Sequence, residues 1–398
     1  MPVEVRPLGV KCNITCHYCY QDAVRSAGGN AKEYDIAAMK AAILAKGGPF
    51  TLFGGEPLLM RKPDMEALFA WGFEQFGGSS IQTNAVLLDD EHIAMFLRYK
   101  VHVGISLDGP GECNAPRWAG SQKRTDAATG KAEQAILRLL AHNIAPSIIT
   151  TLHRHNGTGE ALSRLVDWFR ALDSLGVRSA RIHVLESETR EVSAALALST
   201  EEYVDAMLAL SALERNELQH LRFDLFREID ALLLAKDKGV SCVWRACDPY
   251  TTEAVQGIEG HGQSSNCGRT NKAGVDFVKA KTPSFERYLA LYHTPHAWGG
   301  CHNCRFFLMC KGQCPGTSID GDWRNRTEHC STWFRLFEHA EARLQSLGYV
   351  PISADPNRDV LERAMVEQWE AGHNPPLWWM LQRLQSSATS ASNSTAVN

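Results

Sequence analysis

Three cysteines crowd the start of the chain, in the stretch "VKCNITCHYCYQD". Cys12, Cys16 and Cys19 follow the spacing C-x3-C-x2-C, with no fourth cysteine nearby. Three thiolates are one ligand short of a closed tetrahedral zinc site. Either another part of the chain completes the site, or one position stays open. On a four-iron cube, three thiolates would leave one iron free to bind a small molecule and pass it an electron.

A second group of cysteines lies far along the chain. Its members are Cys242, Cys247, Cys267, Cys301, Cys304, Cys310, Cys314 and Cys330. Eight thiols suit two fully ligated four-iron cubes, and they equally suit two zinc sites. Cys113 belongs to neither group, and we interpret it as a free structural cysteine.

Polar motifs follow three further apolar runs. They are "TLFGGEPLL" with Gly54, Gly55, Glu56 and Pro57, "IQTNA" with Gln82 and Asn84, and "ISLDGP" with Ser106 and Asp108. Each motif read alone is turn chemistry. Because the carboxyl ends of parallel strands share one edge of a sheet, these residues and Cys12 are expected to converge on one mouth.

The elements that must position these residues alternate in type. Six short β-like runs ("VEVRPLG", "FTLFGG", "SSIQTN", "HVGISLD", "PSIITTLH" and "SARIHVLES") are each followed by a helical pattern, the last a long helical stretch from about Thr200 to Lys236. This order predicts an α/β fold with a parallel sheet and right-handed crossovers. A flat doubly wound sheet and an incomplete barrel both fit the pattern.

Bulk composition excludes several classes of protein. The 398 residues carry a net charge of -4 without a dense basic run, so we expect no nucleic-acid partner. No apolar run approaches the ~18 residues of a membrane span, and the N-terminus lacks the apolar core of a signal peptide. We therefore expect a cytoplasmic protein without a membrane partner, in which clustered cysteines bind metal.

The cysteine loop, with Tyr18 before its third cysteine, resembles that of the radical S-adenosylmethionine (SAM) enzymes. The resemblance implies a partial (β/α)6 TIM-like barrel and a [4Fe-4S] cluster whose open iron binds SAM. One electron would then cleave SAM to methionine and a 5'-deoxyadenosyl radical. It also implies that Gly54, Gly55, Glu56 and Pro57 meet the SAM amino group, Ser106 its carboxylate and Asp108 its ribose. Gln82 and Asn84 would face SAM or substrate, and Arg117 or Arg124 would pair with a carboxylate.

The late stretch "CHNCRFFLMCKGQC" resembles the SPASM domain, which carries two auxiliary [4Fe-4S] clusters behind radical SAM barrels. By that resemblance, Cys242, Cys247, Cys267 and Cys314 hold the nearer cluster, and Cys301, Cys304, Cys310 and Cys330 hold the farther one. The expected domains are the barrel (1–236), the SPASM domain (237–345), a helical extension (346–385) and a disordered tail (386–398). The "LWWM" pair Trp378 and Trp379 either covers a substrate groove or packs a helix.

SPASM enzymes mostly oxidise peptides or proteins, and the resemblance implies a peptide maturase that depends on a reductant such as flavodoxin or ferredoxin. Because the cysteine loop begins at Cys12, we expect no leader-binding module before it. Sulfatase-maturing enzymes place a catalytic acid after the third auxiliary cysteine, where this chain has Gly268. We therefore expect a side-chain crosslink or similar oxidation of a ribosomally made peptide. Formylglycine formation and oxidation of a free small molecule are the alternatives. Candidate proton acceptors are Asp276, Tyr18 and Tyr250.

Overall fold

The structure is a computed structural model that describes residues 3–28, 33–186, 189–245, 247–248, 255–270 and 284–394. Two of the predicted site residues, Asp276 and Tyr250, lie outside these ranges. The described chain divides into two compact units, Met1–Leu225 with Val255–Val278, and Phe226–Ala254 with Lys279–Asn398.

The first unit is built on a nine-stranded sheet in the order β7-β6-β5-β4-β3-β2-β1-β8-β9. All neighbours are parallel except β8 and β9. The strands are β1 (Val3–Arg6), β2 (Phe50–Leu52), β3 (Ser79–Thr83), β4 (Val101–Ser106), β5 (Ser147–Leu152), β6 (Ser179–Val184), β7 (Arg222–Phe223), β8 (Gln256–Glu259) and β9 (Ser264–Ser265). The six predicted strands and the partial barrel are confirmed.

Helices connect the successive strands. They are α1 (Asp22–Ser26), α2 (Ile36–Lys46), α3 (Lys62–Phe76), α4 (Asp90–Arg98), α5 (Gln122–Ala141), α6 (Gly159–Leu175), α7 (Arg190–Leu196) and α8 (Thr200–Asn216). Local sequence sets their ends: Asp89 and Ser199 form capping boxes at the starts of α4 and α8, and Gly47 and Gly176 end α2 and α6 in the left-handed conformation.

The predicted long helix from Thr200 to Lys236 is wrong, because the structure breaks it into α8, the strand β7 and α9 (Asp224–Leu233). The break has a tertiary cause. The backbone amides of Gln219, His220 and Leu221 donate to the buried Asp173 carboxylate at 3.0, 2.7 and 2.6 Å, and Arg222–Phe223 then pairs with β6. These partners are far apart in the sequence, so the helical periodicity gives no sign of them.

The two faces of the sheet differ in chemistry. On one face the aligned residues Val5, Leu52, Ile81 and Val103 are all buried in the core against the helices. On the other face, aligned residues are mostly polar: Glu4, Thr51, Ser80, Gln82, Ser106, Thr151, Arg181 and His183. Since side chains alternate along a strand, this second face is the polar lumen of the partial barrel.

The second unit contains α10 (Glu286–His293), α11 (Phe307–Cys310), α12 (Cys330–Ser346), α13 (Arg358–Glu370) and α14 (Leu377–Ser394). Trp244 anchors it, completely buried in edge-to-face contact with Trp333 and Phe337. The helix α14 runs into the segment expected to be disordered. Trp378 and Trp379 are 43% and 39% exposed on it, so neither is a core residue. Among the described helices, none combines the length and apolarity needed to cross a membrane.

Candidate active site

The cysteine loop leaves β1 and is fixed by the loop that leaves β2. The backbone amides of Gly55 and Glu56 donate to the carbonyls of Gly9 and Lys11 at 3.0 and 2.8 Å. A Cβ on Gly55 would lie 2.0 Å from the Lys11 oxygen, and one on Gly54 would lie 2.5 Å from the Gly9 oxygen. The paired glycines therefore let two backbones touch, which sets the position of the loop that carries the thiols.

The Glu56 carboxylate extends this brace to β3. It is buried and accepts hydrogen bonds from the Leu58 amide at 3.0 Å, the Thr83 hydroxyl at 2.6 Å and the Asn84 amide at 2.8 Å. Burial raises the pKa of Glu56, and these donors offset part of that effect. In this structure Glu56 ties two strand ends together, a contact that the sequence did not reveal.

The three thiols lie in one electrostatic neighbourhood. All three are free, and burial, opposed by Arg117 and helped by Cys19 and Cys12, raises the pKa of Cys16 to about 12. Arg25 lies 3.4 Å from the Cys19 sulfur, and the Asn84 amide nitrogen lies 3.8 Å from the Cys12 sulfur. Thiols that are hard to ionise alone, clustered beside cations and N–H donors, fit a metal that takes them as thiolates.

No three Cys, His, Asp or Glu side chains of the described ranges converge as ligands of one metal ion would. A four-iron cube makes a different demand, because each of its thiolates binds its own iron. The three thiols of the loop fit such a cube. When bound, it would supply the electron that cleaves SAM, while the chain's residues hold the loop and its surroundings.

Asp108 forms a buried hub beside the cysteine loop. Its carboxylate accepts from the Tyr18 hydroxyl and from the Thr151 amide at 3.0 Å, and lies 3.4 Å from His153 Nε2 and 3.8 Å from Arg117. Burial alone would raise the pKa of Asp108, but Arg117, His153 and Tyr18 hold it below its ordinary value. The side chain has no exposed surface, so this geometry does not favour the predicted ribose contact.

Tyr18 is committed to the same hub. Burial and the neighbouring Asp108 hold the pKa of Tyr18 well above its ordinary value. The phenol therefore stays protonated and donates a hydrogen bond to the Asp108 carboxylate. This geometry does not favour Tyr18 as a proton acceptor. Arg117 donates to the Tyr18 oxygen at 3.1 Å, whereas Arg124 is exposed in the first turn of α5.

Gln82 and Ser106 sit side by side in the lumen. The Gln82 amide donates to the Ser106 hydroxyl at 2.8 Å across Gly104, where a Cβ would lie 2.2 Å from the Gln82 oxygen. Asn84 follows on the same strand end and donates to Asn13 of the cysteine loop at 2.7 Å. The predicted convergence of the strand-end residues on the cysteine loop is thus visible in these contacts.

Sequence reasoning missed the charged part of the lumen. Arg269 pairs with Glu186 at 2.7 Å and lies 2.9 Å from His183 Nδ1. Burial lowers the pKa of His183 most, and Arg269 lowers it further. The pKa therefore lies well below its ordinary value, and the imidazole is neutral. The signal was available, because His183 falls on the polar face of a strand whose alternate residues are apolar.

Glu4 is the second lumen residue that was missed. It lies on β1, and its Oε2 has no hydrogen-bond partner in the described structure. Burial raises the pKa of Glu4, opposed by Arg6 and Arg269. Arg6 is itself engaged by Glu259 at 2.7 Å and by the Asn266 carbonyl at 2.7 Å. Glu4 is therefore a carboxyl group of the lumen with one oxygen that accepts no hydrogen bond from the described residues.

The position after Cys267 is closed to larger side chains. A Cβ on Gly268 would lie 2.9 Å from the Tyr20 ring, 3.2 Å from Gln21 and 3.3 Å from Arg6. Those three neighbours fill the space that a longer side chain would need. A larger residue at position 268 would therefore have to displace these side chains.

In the second unit, the cysteines assigned to the farther cluster interact with one another. Burial raises the pKa of Cys310 well above its ordinary value, and Cys330, Cys301 and Cys304 raise it further. His296 Nε2 lies 3.9 Å from the Cys330 sulfur. Four mutually close, free thiols fit a fully ligated cube. A cavity of about 580 Å³, lined in part by Cys304, Arg305 and Arg358, adjoins this group.

The set assigned to the nearer cluster stays a prediction. Cys242, Cys247 and Cys314 belong to the second unit and Cys267 to the first. Cys113 is fully buried with its sulfur 3.8 Å from the Ala161 carbonyl, as a structural cysteine would be.

Comparison with known proteins identifies one domain of the chain. Residues 7–198 match the model of the Radical SAM superfamily. A serine-type anaerobic sulfatase-maturating enzyme of Bacteroides thetaiotaomicron is 32% identical over 128 residues, covering 28% of this chain and 30% of that protein. An Fe-coproporphyrin III synthase of Methanosarcina barkeri is 34% identical over 137 residues, covering 32% of each chain. The chain thus spans about a third of the length of these curated relatives.

Solved structures share the fold over more of the chain. The structure of anSMEcpe with bound AdoMet has a TM-score of 0.65 at 18% identity, covering 87% of this chain and 98% of that one. Streptococcus suis SuiB bound to the precursor peptide SuiA has a TM-score of 0.51 at 14% identity, covering 83% and 76%. Residues 7–198 therefore form a radical SAM domain. The predicted recognition is confirmed for the radical SAM domain, with the SAM-dependent enzyme class that this domain defines.

Proposed function

We propose that this chain is a radical SAM/SPASM peptide maturase. It uses SAM to abstract hydrogen from a residue of a ribosomally made peptide and completes an oxidative modification, a side-chain crosslink or a similar bond. The observation that carries the proposal is one chain with an open three-thiol loop above a polar lumen and, in its second unit, a group of four interacting thiols. The peptide bound by the similar-fold protein SuiB supports a peptide as substrate.

The chemistry requires both cysteine groups. Abstracting a hydrogen atom leaves a carbon radical, and a two-electron oxidation must still remove one electron and one proton. Three [4Fe-4S] clusters are proposed, one that binds SAM at Cys12, Cys16 and Cys19 and two auxiliary clusters that accept the electron. A flavodoxin- or ferredoxin-type reductant would supply the electron that cleaves SAM.

The roles of the SAM-facing residues follow from the site. Gln82 and Ser106 present an amide and a hydroxyl to the lumen, which suits the polar groups of SAM or substrate. The backbone around Gly54, Gly55, Glu56 and Pro57 positions the cysteine loop. Arg117 and Asp108 hold Tyr18, a residue of that loop, in place.

The proton of the oxidation needs an acceptor, and Glu4 is our candidate within the described lumen. Its unpartnered oxygen can receive a proton, and its raised pKa makes the carboxylate a stronger base than an ordinary Glu. Asp276 and Tyr250 stay predictions for the same role.

Formylglycine formation is the main alternative, and Gly268 counts against it. The acid expected after the third auxiliary cysteine is missing, and Tyr20, Gln21 and Arg6 crowd the place where its side chain would begin. A base for that reaction would have to come from elsewhere in the chain.

Co-expression with a short peptide encoded beside this chain, followed by mass spectrometry, tests the proposal. A crosslinked peptide loses two hydrogens and resists fragmentation between the joined residues. Formylglycine from serine also loses two hydrogens, but its aldehyde reacts with a hydrazine probe. If the peptide mass is unchanged while SAM is cleaved with a free small molecule that is itself oxidised, the peptide proposal fails.

A further inference from the structure

A buried arginine in the second unit has a role that neither cysteine group explains. Arg287 on α10 has no exposed surface, and its guanidinium makes no ion pair with a carboxylate of the described chain. A cation moved out of water without a counter-charge costs several kcal/mol. Other groups must therefore offset the free-energy cost of burying the Arg287 cation.

Part of the compensation comes from the backbone. All five N–H groups of Arg287 donate to carbonyls at 2.6 to 3.2 Å, those of Lys311, Gly312, Gln313, Trp323 and Asn325. Five is the full donor count of a guanidinium. These dipoles satisfy the hydrogen bonds of Arg287 but carry no net negative charge.

The loop that supplies three of these carbonyls is strained. Lys311, Gly312 and Gln313 have φ angles of 49°, 71° and 59°, a run of left-handed residues in which two are not glycine. Such conformations persist only where surrounding contacts hold them. The loop joins Cys310 directly to Cys314, so Arg287 holds the backbone between two predicted cluster ligands.

Two contacts place Arg287 beside the group of Cys301, Cys304, Cys310 and Cys330. Its guanidinium donates to the carbonyl of Lys311, the residue after Cys310, at 3.2 Å, and the Cys301 amide donates to the Leu291 carbonyl one turn further along α10 at 2.7 Å. Burial raises the pKa of both Cys301 and Cys310, and Arg287 opposes the rise at each. Arg326 acts likewise on Cys301 and Cys330, but it retains slight exposure. An iron–sulfur cube bound by four thiolates is anionic, and its net charge and surroundings set its reduction potential.

We propose that Arg287 is the buried counter-charge of the cluster held by Cys301, Cys304, Cys310 and Cys330, and that it raises the reduction potential of that cluster. Reduction adds negative charge to the cube, and a fixed cation nearby stabilises the reduced form. Arg287 acts as a positioning residue as well, because the same guanidinium holds the strained loop. The inference rests on the proposed cluster assignment, but it needs neither SAM nor a peptide.

The test compares Arg287→Met, which removes the charge, with Arg287→Lys, which keeps it but offers fewer donors. Each reconstituted full-length variant is titrated with dithionite and mediators and followed by electron paramagnetic resonance. The signal absent from a Cys310→Ala variant identifies the cluster in question. Arg324→Met is the matched control, since Arg324 lies in the neighbouring turn, is exposed and pairs with Asp322.

We expect the potential of that signal to move to more negative values in Arg287→Met and to stay near wild type in Arg287→Lys and Arg324→Met. Should Arg287→Met fail to retain the cluster, the iron count decides. Loss of the cluster in the Met variant and retention in the Lys variant support the counter-charge. Equal potentials in all variants overturn the proposal, and so does equal loss of iron in both Arg287 variants. If Cys310→Ala removes no signal, the cluster assignment itself fails.

Discussion

The two cysteine groups of this molecule differ in the number of their thiols and in the residues that surround them. The loop of Cys12, Cys16 and Cys19 offers three thiols, braced by the backbone of Gly55 and Glu56 and bordered by amide and hydroxyl groups of a polar lumen. The group around Cys310 offers four thiols. The strained loop that follows Cys310 is held by hydrogen bonds from one buried arginine, Arg287. An open iron needs polar neighbours for a ligand, whereas a closed cluster needs only its charge balanced. On the proposed cluster assignment, the first group belongs to a site that binds and reacts, and the second to a site that stores electrons.

The largest effect should come from the open group. Replacing Cys16 by Ala removes a ligand of the cluster that binds SAM, so 5'-deoxyadenosine should fall to background and iron should drop by about four per chain. Chromatography of the reaction mixture and iron analysis measure both. Cys113→Ala is the control, and it should keep iron and SAM cleavage because Cys113 lies buried outside both groups. Full SAM cleavage by Cys16→Ala would contradict the assignment.

A change in the four-thiol group should stop formation of the modified peptide without stopping SAM cleavage. We expect Cys310→Ala to lose about four irons per chain, to cleave SAM still and to form no modified peptide, because the electron acceptor is gone. Mass spectrometry of the co-expressed peptide, beside a 5'-deoxyadenosine assay, measures the two outcomes. Normal product from this variant would remove the farther cluster from the reaction.

Glu4→Gln tests the proton acceptor in the lumen. General-base groups typically contribute about 100-fold or more, so product formed per 5'-deoxyadenosine should fall by about that factor. Reaction in D2O should then leave unmodified peptide that carries deuterium, since the carbon radical is quenched instead of oxidised. The surface variant Glu160→Gln, whose side chain is 98% exposed, should behave as wild type. An unchanged partition in Glu4→Gln would eliminate Glu4 as the base.

A smaller effect should follow from the brace of the open group. Gly55→Ala places a methyl group 2.0 Å from the Lys11 carbonyl, and overpacking of this kind costs about 1–3 kcal/mol. The urea midpoint of the reconstituted protein should fall. Gly130→Ala in α5 meets no atom within 4 Å and should raise the midpoint, by about 0.5–1 kcal/mol in stability. Equal midpoints for both variants would mean that the two loops do not touch as described.

Much of the first unit could be predicted from sequence, because its signals are local. Apolar runs bounded by turns marked all six strands, and their ends marked Cys12, Gly54, Gln82 and Asp108. The contacts of those residues could not be predicted, since they depend on which loops meet. Glu56 braces β3, and Asp108 lies in a closed hub with Tyr18 and His153.

The second unit shows the same limit more sharply. The resemblance to the SPASM domain implied its four-thiol group, but nothing in "FERYLALYH" distinguishes Arg287 from a surface residue of an amphipathic helix. Its five carbonyl partners come from segments 24 to 38 residues away. The break after α8 was missed for a similar reason, because Asp173 lies 46 to 48 residues before the amides that it holds. Partners this distant leave no periodic signal.

The most direct test of the central claim is the iron and sulfide content of the anaerobically reconstituted chain, measured beside Cys16→Ala and Cys310→Ala. Three four-iron clusters predict about 12 irons and 12 sulfides for the wild type and about eight of each for either variant. About four irons with roughly two zincs in the wild type would contradict the account. The open site would remain, but the second cysteine group would hold no electron acceptor.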